Sequence, residues 1–112
     1  MIVSHIKQVP VQTLTQADLR DVAKQALIGP EQGWLDHVMR VFTVAPGGYT
    51  PRHIHDWPHI SYVTQGTGVL YLTGKEHPLS AGSFAYVPAG AEHQFRNTGP
   101  SPLSFICIVP AQ

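Results

Sequence analysis

From residue 38 onward, no apolar run in this 112-residue chain exceeds eight residues before glycine, proline or a polar turn interrupts it. The runs are Val38 to Ala45, His59 to Thr64, Val69 to Thr73, Phe84 to Val87, Gln94 to Asn97 and Leu103 to Val109. Between them lie Pro46-Gly-Gly, Gln65-Gly-Thr-Gly, Thr73-Gly-Lys, Ser80-Ala-Gly-Ser, Pro88-Ala-Gly and Thr98-Gly-Pro-Ser-Pro. Segments this short suit strands better than helices, and closely spaced turns between them indicate an all-β sandwich or barrel.

The N-terminal third is more ambiguous. Thr15 to Pro30 looks like a capped helix, with Thr15 as cap and Gly29-Pro30 as stop, and local propensity favours helix from about Gln16 to Leu27. Pairing against a sheet can override so weak a preference. A strand over Val22 to Ile28 is the reading adopted, on the strength of the family resemblance given below. Further strands are expected at Ile2 to Ile6 and Val9 to Leu14.

Composition narrows the function. Lys plus Arg and Asp plus Glu number seven each, so no basic face marks a nucleic acid or an anionic membrane as partner. No apolar run approaches the length of a membrane span, and Met1 to Pro10 lacks a basic leader, so a cytoplasmic location is expected. Cys107 is the single cysteine, which excludes an intrachain disulfide. Charged residues make up only 12%. That leaves apolar strand faces to be covered, and a homodimer is expected. The length fits one domain over residues 1–112, with a barrel core at 38–110.

Four histidines carry the chemistry. His53, His55 and His59 fall in Gly47-x5-His53-x-His55-x3-His59-x6-Gly66, and His93 in Gly82-x5-Pro88-x-Gly90-x2-His93-x3-Asn97. On an extended strand, side chains i and i+2 leave by one face, so His53 and His55 can reach a common ion. The turn-prone Asp56-Trp57-Pro58 can bring His59 to the same point, and glycine turns around Pro88 and Gly90 can deliver His93 from a second hairpin. Imidazole is the commonest protein ligand of first-row transition metals. A closed structural zinc site is the alternative, whereas two ligands from one strand favour an ion open on its far side. His5, His37 and His77 stand outside the pattern and read as ordinary surface residues.

Both motifs resemble those of the cupins, G-x5-H-x-H-x3,4-E-x6-G and G-x5-P-x-G-x2-H-x3-N, with His59 where glutamate is usual. His53-Ile-His-Asp-Trp-Pro-His59 is similar to the H-x-H-P-W-E-H variant of small single-domain microbial cupins, in which four histidines hold the metal, commonly manganese. Pro58 and Ile60 stand where those relatives often carry glutamate. The resemblance implies a single cupin jelly-roll barrel, N-terminal strands within residues 1–30 pairing with a partner subunit, and one divalent transition metal. Manganese or iron is expected, with nickel, zinc and copper as further candidates. Four neutral imidazoles would leave the ion its full positive charge.

Arg40, Phe42, Trp57, Phe95, Phe105 and Cys107 are the candidate walls of a substrate pocket, chosen by strand alternation and by the family likeness. Ordinary core packing is the alternative for Phe42, Phe105 and Cys107. Arg40 interrupts an apolar strand, so it either anchors an anionic group near the metal or snorkels outward. Asp56 and Glu92 each sit one position from a ligand and are expected to point away from it, which leaves no evident general base. Chemistry carried by the metal follows: a dioxygenase or related oxidoreductase acting on a small apolar or aromatic substrate. A non-catalytic metal or small-ligand binding protein and a sugar-type isomerase are the rivals.

Overall fold

The computed structural model describes residues 1–111. Nine strands run as β1 (Gln12–Thr13), β2 (Arg20–Ile28), β3 (His37–Tyr49), β4 (His59–Gln65), β5 (Thr67–Leu72), β6 (Lys75–Ser80), β7 (Phe84–Val87), β8 (His93–Arg96) and β9 (Leu103–Pro110). They form one curled antiparallel sheet in the order β6-β5-β8-β3-β9-β4-β7, with β2 pairing β3 and β1 pairing β2. The all-β barrel expected from the turn punctuation is what the chain forms.

The long strand β3 makes the curl. Its first part pairs with β9 from His37 opposite Pro110 to Val44 opposite Leu103, while its end pairs with β8 through Tyr49 opposite Arg96. The switch occurs at Ala45-Pro46-Gly47-Gly48, where Gly47 takes φ 81°, a conformation that disfavours any residue bearing a Cβ. On the neighbouring strand Asp21 takes φ 52° at the register shift between Arg20 and Val22. A bend with a facing bulge turns the chain from one half of the barrel to the other. Buried Asn97 fastens this corner. Its side-chain amide donates to the Val44 carbonyl at 2.8 Å and to the Ser101 carbonyl at 2.9 Å, and its oxygen accepts from the Gly99 N–H at 2.9 Å.

Val44, Val63, Leu70, Leu79, Val87 and Leu103 pack into a closed core. Gly66 takes φ 86° on the β4–β5 turn, and a Cβ there would collide with the Pro102 carbonyl oxygen, so the residue is held by space as well as by conformation.

The segment with helical propensity is a strand. Val22 lies opposite Val44 and Ile28 opposite Met39, a ladder that outweighs the local signal. Two N-terminal expectations fail: Ile2 to Ile6 forms no strand, and of Val9 to Leu14 only Gln12–Thr13 does. Ile6–Gln8 is a 3-10 turn, held to β2 where the Gln25 amide donates to the Ile6 and Val9 carbonyls. Strand β6 was not expected from the sequence. It lies at the sheet edge, where Pro78 costs no inward hydrogen bond.

Candidate metal centre

The register of β8 with the chain after β3 builds the histidine cluster. His53 and His93 form an isolated antiparallel bridge, the His53 N–H donating to the His93 carbonyl at 3.2 Å and the His93 N–H to the His53 carbonyl at 3.0 Å. Directly opposed residues project to the same face, so this bridge alone puts two imidazoles side by side. The spacing places His53 and His55 on one regular strand, but only His53 is bridged, and His55 lies in irregular chain beyond it. The Gly90 N–H donates to the His55 carbonyl at 2.8 Å and holds that stretch down. Trp57 stacks on the His55 ring, with centroids 4.6 Å apart and planes 15° apart.

The nitrogens of His53, His55 and His93 lie within 4.8 Å of one another. Two nitrogens bound to one ion at about 2.1 Å are at most about 4.2 Å apart, so slight closure brings the three onto a common cation. His59 opens β4 beside them, its ring centroid 4.5 Å from that of His93 and 5.0 Å from that of His55. It stands outside the closest trio. Its Nε2 is buried without a hydrogen-bond partner, a costly state for a polar atom unless a ligand completes it.

The other ring nitrogens set which atom faces inward. The His93 Nδ1 lies 2.9 Å from the Ala91 carbonyl, which can only accept, so Nδ1 carries a hydrogen and the metal-facing lone pair of a neutral ring is on Nε2. The His59 Nδ1 lies 3.7 Å from Cys107 Sγ, which also accepts from Arg40 Nη2 at 3.4 Å. A neutral His59 that donates from Nδ1 to the sulfur offers Nε2 to a metal.

Burial works against protonation of His53, His55 and His59. Burial lowers the His59 pKa to about 3, aided by His93, His55, Arg40 and His53. Burial lowers that of His55 to about 4, with help from His53, His93 and Arg40. His53 is lowered by burial and by His93, against a small opposing pull from Asp18. Neutral imidazoles with free lone pairs and a shared opening fit a divalent transition metal.

The cluster opens into a cavity of about 780 Å³. All four motif histidines line it, together with the six sequence-selected residues Arg40, Phe42, Trp57, Phe95, Phe105 and Cys107. Phe42, Phe105 and Phe95 form a run of stacked rings, with successive centroids 5.6 and 4.0 Å apart. Arg40 does not snorkel outward; it lines the cavity, with its guanidinium 4.9 Å above the Phe42 ring. Glu92 is turned away, accepting from the Tyr71 hydroxyl at 3.0 Å and pairing with Arg52 at 3.8 Å. Sequence reasoning missed one wall, formed by Val22, Lys24, Ala26 and Ile28 of β2. Their alternation along the strand adopted for Val22 to Ile28 was the available signal.

Residues 40–109 match the Cupin domain family. The chain belongs to the cupin family. It is 32% identical over 65 residues to an oxalate-binding protein of Thermotoga maritima, covering 57% of this chain and 54% of that one. It is 30% identical over 88 residues to the dimethylsulfoniopropionate lyase DddW of Ruegeria pomeroyi, covering 78% of this chain and 58% of that protein. The chain thus spans just over half the length of these curated relatives. Among solved structures, the polyketide cyclase RemF from Streptomyces resistomycificus superposes over 100% of this chain and 80% of its own, with a TM-score of 0.93 and 26% identity. Among the described residues, no helix is long and apolar enough to cross a membrane.

Proposed function

We infer that this cupin binds one divalent transition metal, manganese or iron, through His53, His55, His59 and His93, and acts as a metal-dependent dioxygenase or related oxidoreductase on a small apolar or aromatic molecule. The observation that carries the reading is a cluster of neutral imidazoles opening onto a cavity floored by three stacked phenylalanines. A bound metal would supply Lewis acidity or redox chemistry at its open positions. The protein's own part is to orient the ligands, through Ala91 for His93 and Cys107 for His59, and to hold a flat apolar substrate against Phe42 and Phe105. Neither Asp56 nor Glu92 lines the cavity, so proton abstraction by a carboxylate next to the histidines has no support.

A second reading has one observation in its favour. The full-length superposition on a polyketide cyclase supports ring closure without net oxidation in the same aromatic-walled cavity. A sugar substrate suits these apolar walls poorly, and a binding role without turnover would leave the ligand site as described. Anaerobic reconstitution with Fe(II) or Mn(II), then oxygen uptake with a panel of aromatic substrates, separates these readings. Stoichiometric metal with substrate-dependent uptake is expected. Failure of the wild-type chain to bind either metal overturns the metal centre, and binding without uptake for any substrate overturns the oxidoreductase.

The assembly proposed is a homodimer. Ile60 lies opposite both Tyr86 and Ile108, and Tyr62 opposite both Phe84 and Ile106, so these six side chains share one outer face of β7, β4 and β9. Phe84 is 80% exposed and Tyr86 63%. A second copy of this self-complementary patch is the covering that a two-fold interface provides.

A further inference from the structure

The cavity holds positive charge that its walls do not balance. Arg40 faces inward from β3, opposite Cys107 of β9, and Lys24 reaches the same space from β2, opposite Phe42. Among the described residues the ion pairs are Arg20 with Asp21, Arg52 with Glu92 and Arg96 with Glu76. Neither Arg40 nor Lys24 takes part in any of them. Glu31, the one carboxylate lining the cavity, is exposed and pairs with neither cation.

What Arg40 does touch is weakly accepting. One Nη2 hydrogen goes to the Cys107 sulfur at 3.4 Å, the guanidinium sits over the Phe42 face, and its Nε is buried with no acceptor. A half-buried guanidinium with an unmet donor costs free energy unless a ligand supplies the acceptor. Its planar fork of N–H groups matches a carboxylate, which can accept two of them at once. The surroundings then define the rest of the ligand. Phe42, Phe105 and Phe95 offer an apolar aromatic wall, with Val38 and Ile28 beside it.

We propose that the ligand of this cavity is a small organic carboxylate with an aromatic or similarly flat apolar body, and that Arg40 is the specificity-determining residue that grips its carboxylate beside the histidine cluster. This rests on the reading of the cavity as a metal-centred ligand site. The body packs against the phenylalanine wall, the carboxylate meets the Arg40 fork, and Lys24 adds attraction from the neighbouring strand β2. A small dicarboxylate such as oxalate satisfies the charge but leaves the apolar walls unused.

Titration calorimetry on Mn(II)-loaded protein tests this with benzoate, phenylacetate and cinnamate, each against its amide, and with oxalate. Each carboxylate that binds is expected to do so about 10- to 100-fold more tightly than its amide. Arg40→Met should erase that preference in protein that elemental analysis shows to be Mn(II)-loaded, and Arg40→Lys should restore part of it. Should Arg40→Met fail to fold, Arg40→Gln provides the same comparison. Equal binding of acid and amide, a preference that survives loss of the guanidinium, or no binding of any aromatic carboxylate at millimolar concentration overturns the proposal. Oxalate binding more tightly than every aromatic acid overturns the assignment of an apolar body. If the wild type retains no Mn(II) on elemental analysis, the metal centre fails separately, and the same titrations on metal-free protein still decide the role of Arg40.

Discussion

Acidification should destabilise the metal-free protein through the histidine cluster. His59 is 6% exposed with a folded pKa of about 3, and His55 has one of about 4, against 6.5 in an unconstrained chain. Both are depressed, so below 6.5 the unfolded chain binds protons that the folded chain refuses, and stability falls as pH drops. The contribution is fully present above the unfolded value and is lost progressively down to the folded ones. Between about pH 7.5 and about pH 5, protonation of one unfolded-state histidine is worth about 2 kcal/mol. At about pH 5 both folded-state groups remain largely neutral, so the size of the effect is set by the unfolded chain. His55 and His59 together should cost about 4 kcal/mol, a large share of the roughly 5–15 kcal/mol that holds a domain of this kind. Urea unfolding in the presence of chelator, followed by tryptophan fluorescence at the two pH values, measures it. The double variant His55→Asn, His59→Asn removes both titrations and should flatten the pH dependence by that amount. A difference between wild type and double variant smaller than about 1 kcal/mol would refute the claim that the fold holds these rings neutral.

Three further outcomes follow from individual contacts. Cys107→Val removes the acceptor for His59 Nδ1 and should weaken Mn(II) binding about 10- to 100-fold in a chelator competition, with Cys107→Ser retaining most of the affinity. Asn97→Ala leaves the Val44 and Ser101 carbonyls and the Gly99 N–H without their partner and should cost about 2–3 kcal/mol in urea unfolding. Phe84→Glu puts a charge into the outer apolar face and should give monomers by light scattering where the wild type is dimeric; a wild type that is monomeric at tens of micromolar refutes the interface.

The sequence announced the histidines because their spacing is a chemical constraint, and it announced most strands because glycine and proline mark where each must end. Gly47, Gly66, Gly82 and Gly90, all fixed points of the two motifs, take φ between 81° and 94°. Strand β6 escaped notice because Lys75-Glu-His-Pro-Leu-Ser places one buried apolar residue, Leu79, in an otherwise polar run. An edge strand needs no more than that. The strand adopted for Val22 to Ile28 forms despite the local helical preference of Ala23, Lys24, Gln25, Ala26 and Leu27, because the ladder with β3 outweighs it.

Of the four motif histidines, His53, His55 and His93 do draw together, for a different reason than their spacing suggested. Alternation along one strand was to align His53 with His55, whereas the alignment that fixes the cluster is the cross-strand bridge of His53 with His93. That bridge exists because β3 bends at Pro46-Gly47-Gly48 and leads the chain past β8, with Asn97 fastening the corner. The second motif therefore ends in asparagine for the same reason that the first begins with glycine: each shapes the turn that makes two imidazoles meet. Arg40 belongs to the same logic, since the register opposite Cys107 that aims it into the cavity also sets the sulfur against His59. One strand pairing thus sets the Cys107 sulfur between the Arg40 guanidinium and the His59 ring, at the meeting of the histidine cluster and the cavity.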